Sequence, residues 1–229
     1  MQLTYYGHAC FGVKVNGKNL LFDPFITGNE LAAEVDVEAV PADYILLTHA
    51  HQDHILDAIA ISKRTGAPVI APFEVGVWAE AEGAAGAMPM NHGGTQHLDF
   101  GRVKMTNAVH SSSFPDGSYG GHPSGYVVSS AKEGEGAFYY AGDTALMADM
   151  KLIGEEGGLT FSVLPIGDHF TMGAADAVKA AALVRTDQVV GVHYDTFPPI
   201  KIDRAEALAA FGAAGVKLLL PAIGETIEV

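Results

Sequence analysis

Apolar and polar residues alternate in short runs at the start of the chain, and this spacing predicts β-strands. The segments LTYYG and FGVKVNGKNLLFD follow the pattern, and the Asn16-Gly17 dipeptide inside the second is typical of a tight hairpin turn. A continuous apolar run at 44–49 and the segment at 68–72 predict buried strands. Helical spacing of apolar residues predicts helices at 55–65, where Gly66 follows as a stop, and at 74–82.

The second half repeats this alternation of strands and helices. Strands are predicted at 103–110 and in the segments SGYVVSS, AFYYAG, FSVLPIG, QVVGVHY and KLLLPAIG, and helices at 146–155, 174–184 and 204–213. Residues 83–94 are predicted to be a loop, and the long polar segment 111–125 a lid or binding loop. Antiparallel hairpins at the start of each half, followed by alternating elements, predict a layered α/β fold that forms one domain over 1–229.

Composition and charge exclude several classes of protein. Of 229 residues, 48% are hydrophobic and 17% charged, so the chain is globular and not disordered. A net charge of −14 argues against binding to nucleic acid or to an anionic membrane. The lone Cys10 allows no intrachain disulfide, and neither a secretory signal nor a membrane span is visible, so we expect a cytoplasmic protein. The sequence leaves a homo-oligomer open.

The densest chemical signal is HAHQDH at 49–54, directly after an apolar run. His49 and His51 point to one side of an extended segment, whereas Asp53 and His54 lie where a helix begins. This arrangement suits two metal ions about 3.5–4 Å apart. Imidazole and carboxylate ligands without thiolate favour zinc, with manganese or iron as alternatives. The competing interpretation is a solvated polar loop in which the aspartate caps the helix.

Three further candidate ligands follow predicted strands. His110 ends one strand, Asp143 follows AFYYAG, and His193 ends QVVGVHY. Because ligands collect at the carboxyl ends of strands in α/β folds, we expect these side chains to join the first cluster. The alternatives are satisfied core histidines and, for Asp143, a turn or helix cap.

These motifs resemble those of the metallo-β-lactamase superfamily. THAHQDH, His110, GDT at 142–144 and His193 occur in the same order and at similar separations, over essentially the whole chain. The chain is most similar to a branch of small prokaryotic metal-dependent hydrolases related to L-ascorbate-6-phosphate lactonases. The closer resemblance is carried by GHACF, HAHQDH with KRTGAPVIA, GRVKMTNAVHSSS, YAGDTALMADMKLIGE, LPIGDHFTMG and VHYDTFP.

The resemblance implies a four-layer αββα sandwich with a dinuclear metal centre at one edge of the sheets. It implies a first site formed by His49, His51 and His110 and a second formed by Asp53, His54 and His193, bridged by Asp143. Two divalent cations then lower the pKa of a bridging water, which attacks as hydroxide. Asp53 is also predicted to hold or shuttle a proton in catalysis.

Other residues near these motifs are candidates for supporting roles. His169 is predicted to bind substrate or stabilise negative charge in catalysis, and Asp23 to orient a ligand imidazole. His8 is expected near the site, and His122 as a loop contact. His92 and His97 are expected to be structural or solvated, Cys10 to be a small buried residue, and Trp78 to lie in the core or at an interface. If the substrate is phosphorylated, Lys151 or Lys201 is a candidate for the cation near it.

The sequence therefore predicts a hydrolase that acts on a small-molecule lactone, ester, amide or phosphoester. One alternative is a metallo-hydrolase that cleaves RNA or another phosphodiester, which the acidic charge disfavours. The other is a non-hydrolytic di-iron redox or sensor protein.

Overall fold

The computed structural model describes residues 1–229 and consists of fourteen strands and six α-helices. The strands are β1 Gln2–Gly7, β2 Cys10–Val15, β3 Lys18–Phe22, β4 Tyr44–Leu46, β5 Val69–Pro72, β6 Ala87–Met90, β7 Thr95–Leu98, β8 Gly101–Asn107, β9 Ser124–Ser130, β10 Ala137–Tyr140, β11 Leu159–Pro165, β12 Gln188–Val192, β13 Lys217–Leu219 and β14 Thr226–Glu228. The helices are α1 Gln52–Ile55, α2 Ala58–Thr65, α3 Phe73–Ala81, α4 Met150–Glu156, α5 Ala174–Val184 and α6 Arg204–Ala213, with short 3-10 helices at Glu30–Ala32, Val37–Ala39 and Pro198–Ile200.

The strands form two mixed seven-stranded sheets. The first has the order β14-β1-β2-β3-β4-β5-β6 and the second β13-β12-β11-β10-β9-β8-β7. The β1–β3 meander is antiparallel, and β3 to β6 continue in parallel. In the second sheet β7 to β10 are antiparallel, and β10 to β13 are parallel. Both halves thus open with the predicted antiparallel hairpins.

Three hydrophobic clusters hold four layers together. The largest contains 21 buried residues from both sheets. In it Phe22 meets Phe138 at 5.7 Å between ring centroids, and Phe11 meets Tyr140 at 4.9 Å. Burial of each phenylalanine contributes roughly 1.5–3 kcal/mol. A second cluster packs α4, α5 and α6 on one outer face, and a third packs α1, α2 and α3 on the other. The predicted αββα sandwich is confirmed.

The hairpin and two helices match the sequence prediction closely. Asn16 and Gly17 both have positive φ, at 45° and 81°, as the expected tight turn requires. The bounds of α5 and α6 agree with prediction, whereas α4 begins at Met150 and not at 146. Several predicted strands end earlier, so that the candidate ligands lie in the loops beyond them.

Three strands and one helix break differ from prediction. The predicted loop at 83–94 contains β6, whose Pro89 is tolerated because β6 is the edge strand of its sheet. The strands β7 and β14 were not predicted. The predicted helix at 55–65 is regular only from Ala58, as α2, and Ile55 ends the separate helix α1. At the break the amide of Asp57 donates to the carbonyl oxygen of Pro24 at 3.1 Å and not to a helical carbonyl.

None of the helices combines the length and the apolar character needed to cross a membrane.

Candidate metal centre

The seven predicted ligands lie together, on loops at the carboxyl ends of β4, β8, β10 and β12. His49, His110 and Asp143 each lie three residues beyond the end of a strand, and His193 follows β12 directly. The chain at 49–54 turns into α1, which brings Asp53 into the first helical turn, where a negative charge is favourable. The loops at these strand ends therefore bring the seven side chains together at one edge of the sandwich, as the sequence led us to expect.

One group comprises His49, His51 and His110. A potential ligand atom of each lies within 4.8 Å of the others. The Nε2 atom of His49 and the Nδ1 atom of His51 are 2.9 Å apart. His49 is fully buried, whereas the other two rings are half-buried and reach a pocket. Three imidazoles arranged in this way, with one side open, match the ligand type of a catalytic zinc site.

The other group comprises Asp53, His54 and His193, together with His8. The backbone of His193 is left-handed, with φ at 57°, and its amide donates to the carbonyl oxygen of His8 at 2.8 Å. The Nε2 atom of His8 lies 3.0 Å from Oδ2 of Asp53, and its Nδ1 atom lies 2.9 Å from the Thr196 hydroxyl. His8 thus holds the carboxylate of Asp53 in place.

Asp143 lies between the two groups. Its Oδ2 atom is 3.0 Å from Nε2 of His193, 3.3 Å from His54, 3.5 Å from His110 and 4.0 Å from His49. A tetrahedral site with metal–nitrogen bonds of about 2.0–2.1 Å separates neighbouring ligands by about 3.4 Å, which the observed distances bracket. The Nε2 atom of His54 is buried without a hydrogen-bond partner. These donors fit bound cations.

Asp23 orients His54 from below the site, as the sequence predicted for a ligand imidazole. Its carboxylate accepts hydrogen bonds from His54 Nδ1 at 2.9 Å and from the Tyr140 hydroxyl at 2.7 Å. The backbone and hydroxyl of Thr48 add two more. Because Nδ1 of His54 is held by Asp23, Nε2 is the nitrogen that faces Asp143 and would bind a cation.

Burial and the crowding of ionisable groups shift the pKa values of the site. Burial lowers the pKa of His49, and the neighbouring His54 lowers it further. Burial alone would raise the pKa of Asp143, but His193 and His54 hold it well below its ordinary value. Burial also lowers the pKa of His8 to about 4, with His193 adding to the effect. Burial alone would lower the pKa of His54, but Asp143 and Asp23 raise it well above its ordinary value, so a bound cation would displace a proton from this ring. Neutral imidazoles beside an ionised carboxylate are the protonation states that metal binding requires.

The other histidines and lysines singled out in the sequence lie apart from this cluster. His169 is exposed and lines a separate cavity of about 660 Å³ that contains none of the seven candidate ligands. Lys201 lines that same cavity, and Lys151 pairs with Glu155 on the surface at 3.7 Å. His92 contacts the Pro123 carbonyl oxygen at 2.9 Å. The catalytic role of His169 stays a prediction.

A pocket of about 350 Å³ opens over the candidate ligands. Besides His51, Asp53, His110, Asp143 and His193 it is lined by Ser111, Phe170 and Phe197. The sequence analysis missed these three residues, although each follows a motif residue by one to four positions. The segment 111–125 supplies only Ser111; the rest folds back on itself and packs Phe114 on Trp78, at 5.2 Å between ring centroids, so it does not cover the pocket.

Two helix-covered mixed sheets with a histidine and aspartate cluster at one edge define a metallohydrolase of the αββα type. Comparison with known proteins gives the family. Residues 18–194 match the family described as "Beta-lactamase superfamily domain". A protein named UPF0173 metal-dependent hydrolase from Christiangramia forsetii is 52% identical over the full length of both chains. One from Thermus thermophilus is 50% identical over 91% of this chain and 90% of its own.

A solved structure agrees with these sequence relationships. Igni18, described as a metallo hydrolase from the archaeon Ignicoccus hospitalis, is 37% identical, with a TM-score of 0.87 over 99% of this chain and 97% of its own. The chain belongs to the metallo-β-lactamase superfamily and is a metal-dependent hydrolase. The predicted family and enzyme class are confirmed.

Proposed function

We propose that the protein holds two divalent cations in one centre and uses them to hydrolyse a small-molecule lactone, ester, amide or phosphoester. The observation that carries this proposal is the position of Asp143 Oδ2, which lies within 4.0 Å of an imidazole nitrogen from each of four histidines. Most of these contacts are too long or unpaired for hydrogen bonds, so hydrogen bonding does not explain why the four imidazoles face one carboxylate. The carboxylate and the imidazoles together would hold two cations, which would activate water.

We propose zinc as the metal. The donors are nitrogen and oxygen atoms without thiolate, because the only cysteine, Cys10, is buried elsewhere in the core. Three imidazoles with an open side are the arrangement in which zinc activates water. Manganese and iron accept the same donors, so elemental analysis decides among them.

The side chains around the centre have separable tasks. When bound, the two cations supply a water of lowered pKa and polarise the scissile bond. The Asp53 carboxylate, held by His8 at one oxygen, receives the proton of the attacking water and passes it to the departing group. The His54 ring is fixed by Asp23 and keeps its free nitrogen directed into the site.

Metal analysis of protein purified without chelator tests the proposal. We expect about two cations per chain, and we expect His49→Ala and Asp143→Ala to lose metal and activity together. His97→Ala is the matched control, because His97 is an exposed histidine on β7 outside the cluster. A protein that binds one cation or none, or a fully active double variant, would contradict the dinuclear centre.

A substrate screen distinguishes the proposed chemistry from its rivals. Lactones, esters, thioesters, amides, β-lactams and phosphodiesters are tested against the same metal-loaded protein. Cleavage of generic RNA that is lost at high salt would indicate a nuclease, and oxygen consumption by an iron-loaded preparation would indicate a redox enzyme. We also propose a cytoplasmic location, which subcellular fractionation tests, because the lone thiol of Cys10 needs no oxidising compartment.

A further inference from the structure

Apart from Ser111, the walls of the pocket that do not belong to the candidate centre are aromatic. Phe170 and Phe197 lie on different loops, after β11 and β12, and both line the pocket over Asp53, Asp143 and His193. Phe170 is 52% exposed. A large ring left half in solvent beside a pocket of about 350 Å³ is a contact surface for a bound molecule of modest size.

The backbone that carries Phe170 is held in an unusual conformation. The two residues before it, Asp168 and His169, are both left-handed, with φ at 60° and 57°. The loop is closed by the antiparallel bridge between Gly167 and Gly173. Strained backbone of this kind is retained where the surrounding structure fixes a functional side chain. In this loop, the left-handed residues place Phe170 at the rim of the pocket.

Phe197 is braced from behind by other aromatic rings. It meets His8 edge-on at 5.4 Å between centroids and Phe25 at 6.3 Å. His8 in turn holds Asp53. The position of Phe197 is thereby tied to the carboxylate that handles the proton, and the ring forms a fixed wall beside the candidate centre.

The pocket offers no cationic side chain. Its charged residues are Asp53 and Asp143, and no lysine or arginine lines it. Lys151 and Lys201, which the sequence offered as partners for a phosphate, lie elsewhere. Positive charge in the pocket would then come only from the cations of the proposed centre, so a second anionic group, remote from the bond that is hydrolysed, would be desolvated without a side-chain partner.

We propose that Phe170 and Phe197 form an aromatic clamp that selects a small, uncharged ester or lactone bearing an apolar or aromatic group next to its carbonyl carbon. This inference rests on the proposed function and narrows it. In the reaction, the hydroxyl of water bonds to the carbonyl carbon and the acyl carbon–oxygen bond breaks. Asp53 transfers the proton released by water to the departing oxygen, and no electrons are exchanged with any oxidant or reductant.

The test uses three p-nitrophenyl esters that share a leaving group and differ in the acyl group. Phenylacetyl is neutral and aromatic, acetyl is neutral and small, and succinyl carries a remote carboxylate. We expect the metal-loaded enzyme to prefer phenylacetyl over acetyl, and acetyl over succinyl, each by about tenfold in kcat/KM. Phe170→Ala and Phe197→Ala should remove most of the preference for phenylacetyl, chiefly through KM.

A matched control and a binding measurement separate specificity from damage. Phe73→Ala removes a phenylalanine that is 53% exposed but lies on α3 outside the pocket, so the preference should persist. The neutral ketone 4-phenylbutan-2-one, which cannot be hydrolysed, should bind the wild type more tightly than Phe170→Ala by calorimetry. Circular dichroism and metal content check that each variant is folded and loaded.

The outcomes distinguish the clamp from the proposed function. An unchanged phenylacetyl preference in both clamp variants, or succinyl hydrolysed as fast as acetyl, would overturn the clamp while leaving the hydrolase intact. If a protein with two bound cations hydrolyses no ester but the ketone binds and Phe170→Ala weakens its binding, the clamp stands and the proposed ester chemistry fails.

Discussion

Asp23 illustrates how a single buried residue sets the geometry of the candidate centre. It is inaccessible to solvent and has four donors, two from Thr48, one from His54 and one from Tyr140. Burial raises the pKa of the Tyr140 hydroxyl, and the Asp23 carboxylate adds to this effect, so the hydroxyl stays a donor at neutral pH. The network links the sheet core, through Tyr140, to the orientation of one ligand ring.

Tyr140→Phe tests this link. The substitution removes one hydrogen bond to a buried carboxylate, which should lower the free energy of unfolding by about 1.5–3 kcal/mol. Chemical denaturation of the metal-free protein measures the loss. Tyr139→Phe is the matched control, because the buried hydroxyl of Tyr139 makes no hydrogen bond to a carboxylate, and its removal should change stability little. Equal losses of stability in the two variants would show that the hydrogen bond from Tyr140 to Asp23 does not contribute to the free energy of unfolding.

At the level of residues, the sequence predicted the functional groups that are clustered in one motif. It missed the contacts between residues that are far apart in the sequence. HAHQDH is conspicuous because it packs three imidazoles and a carboxylate into six positions. Asp23 does contact the ring of His54, a candidate ligand, as the sequence led us to expect. The partnership of His8 with Asp53 spans 45 positions and leaves no local pattern. Phe170 and Phe197 resemble ordinary core residues in the sequence, and only the tertiary structure exposes them to the pocket.

The turn after β10 determines the position of Asp143 more directly than any other element. Gly142 has φ at 62°, and a Cβ atom there would overlap the carbonyl oxygen of Ser124 on the neighbouring β9. The position therefore needs glycine for two reasons, the left-handed backbone and the close approach of a strand. The next residue is the carboxylate between the two ligand groups.

Gly142→Ala should both destabilise the fold and reduce the metal content. The matched control is Gly134→Ala, because Gly134 also has a positive φ, 78°, but no atom lies near the position of a Cβ. This substitution measures the cost of the left-handed backbone alone, about 1–2 kcal/mol in the free energy of unfolding. We expect Gly142→Ala to cost a further 1–3 kcal/mol or so because Cβ overlaps the backbone of β9. Chemical denaturation measures the free energy of unfolding of both variants, and elemental analysis measures their metal content. Equal losses in the two variants would argue against the close approach of β9 to Gly142.

Predictability differed among elements for physical reasons. The helices α5 and α6 were predicted with correct bounds, because apolar residues at helical spacing and clear ends specify them locally. The edge strands β6, β7 and β14 carry short or weak patterns, and pairing with a neighbour stabilises them. At the break between α1 and α2 the amide of Asp57 bonds to Pro24 in a distant loop, which periodicity cannot reveal.

For the whole molecule, the two sheets act as a platform whose edge gathers loops from both halves. The first sheet supplies the loop after β4 and the second those after β8, β10 and β12. A metal ion held between these loops would connect the two sheets beyond the hydrophobic contacts of the core. Metal binding should consequently stabilise the entire fold and not only the site, because binding to the native state alone shifts the unfolding equilibrium.

Cys10 provides a built-in probe of this global coupling. Its thiol is the only one in the chain, is fully buried between the first sheet and its helices, and has a pKa raised well above the ordinary value by burial. A thiol reagent such as 5,5′-dithiobis(2-nitrobenzoate) can reach it only when the fold opens. With free zinc at a hundred times its dissociation constant, labelling should slow about a hundredfold relative to chelator-treated protein. The Asp143→Ala variant should show little slowing. Rapid labelling of the metal-loaded wild type, or a rate indifferent to zinc, would contradict the coupling between the candidate centre and global stability.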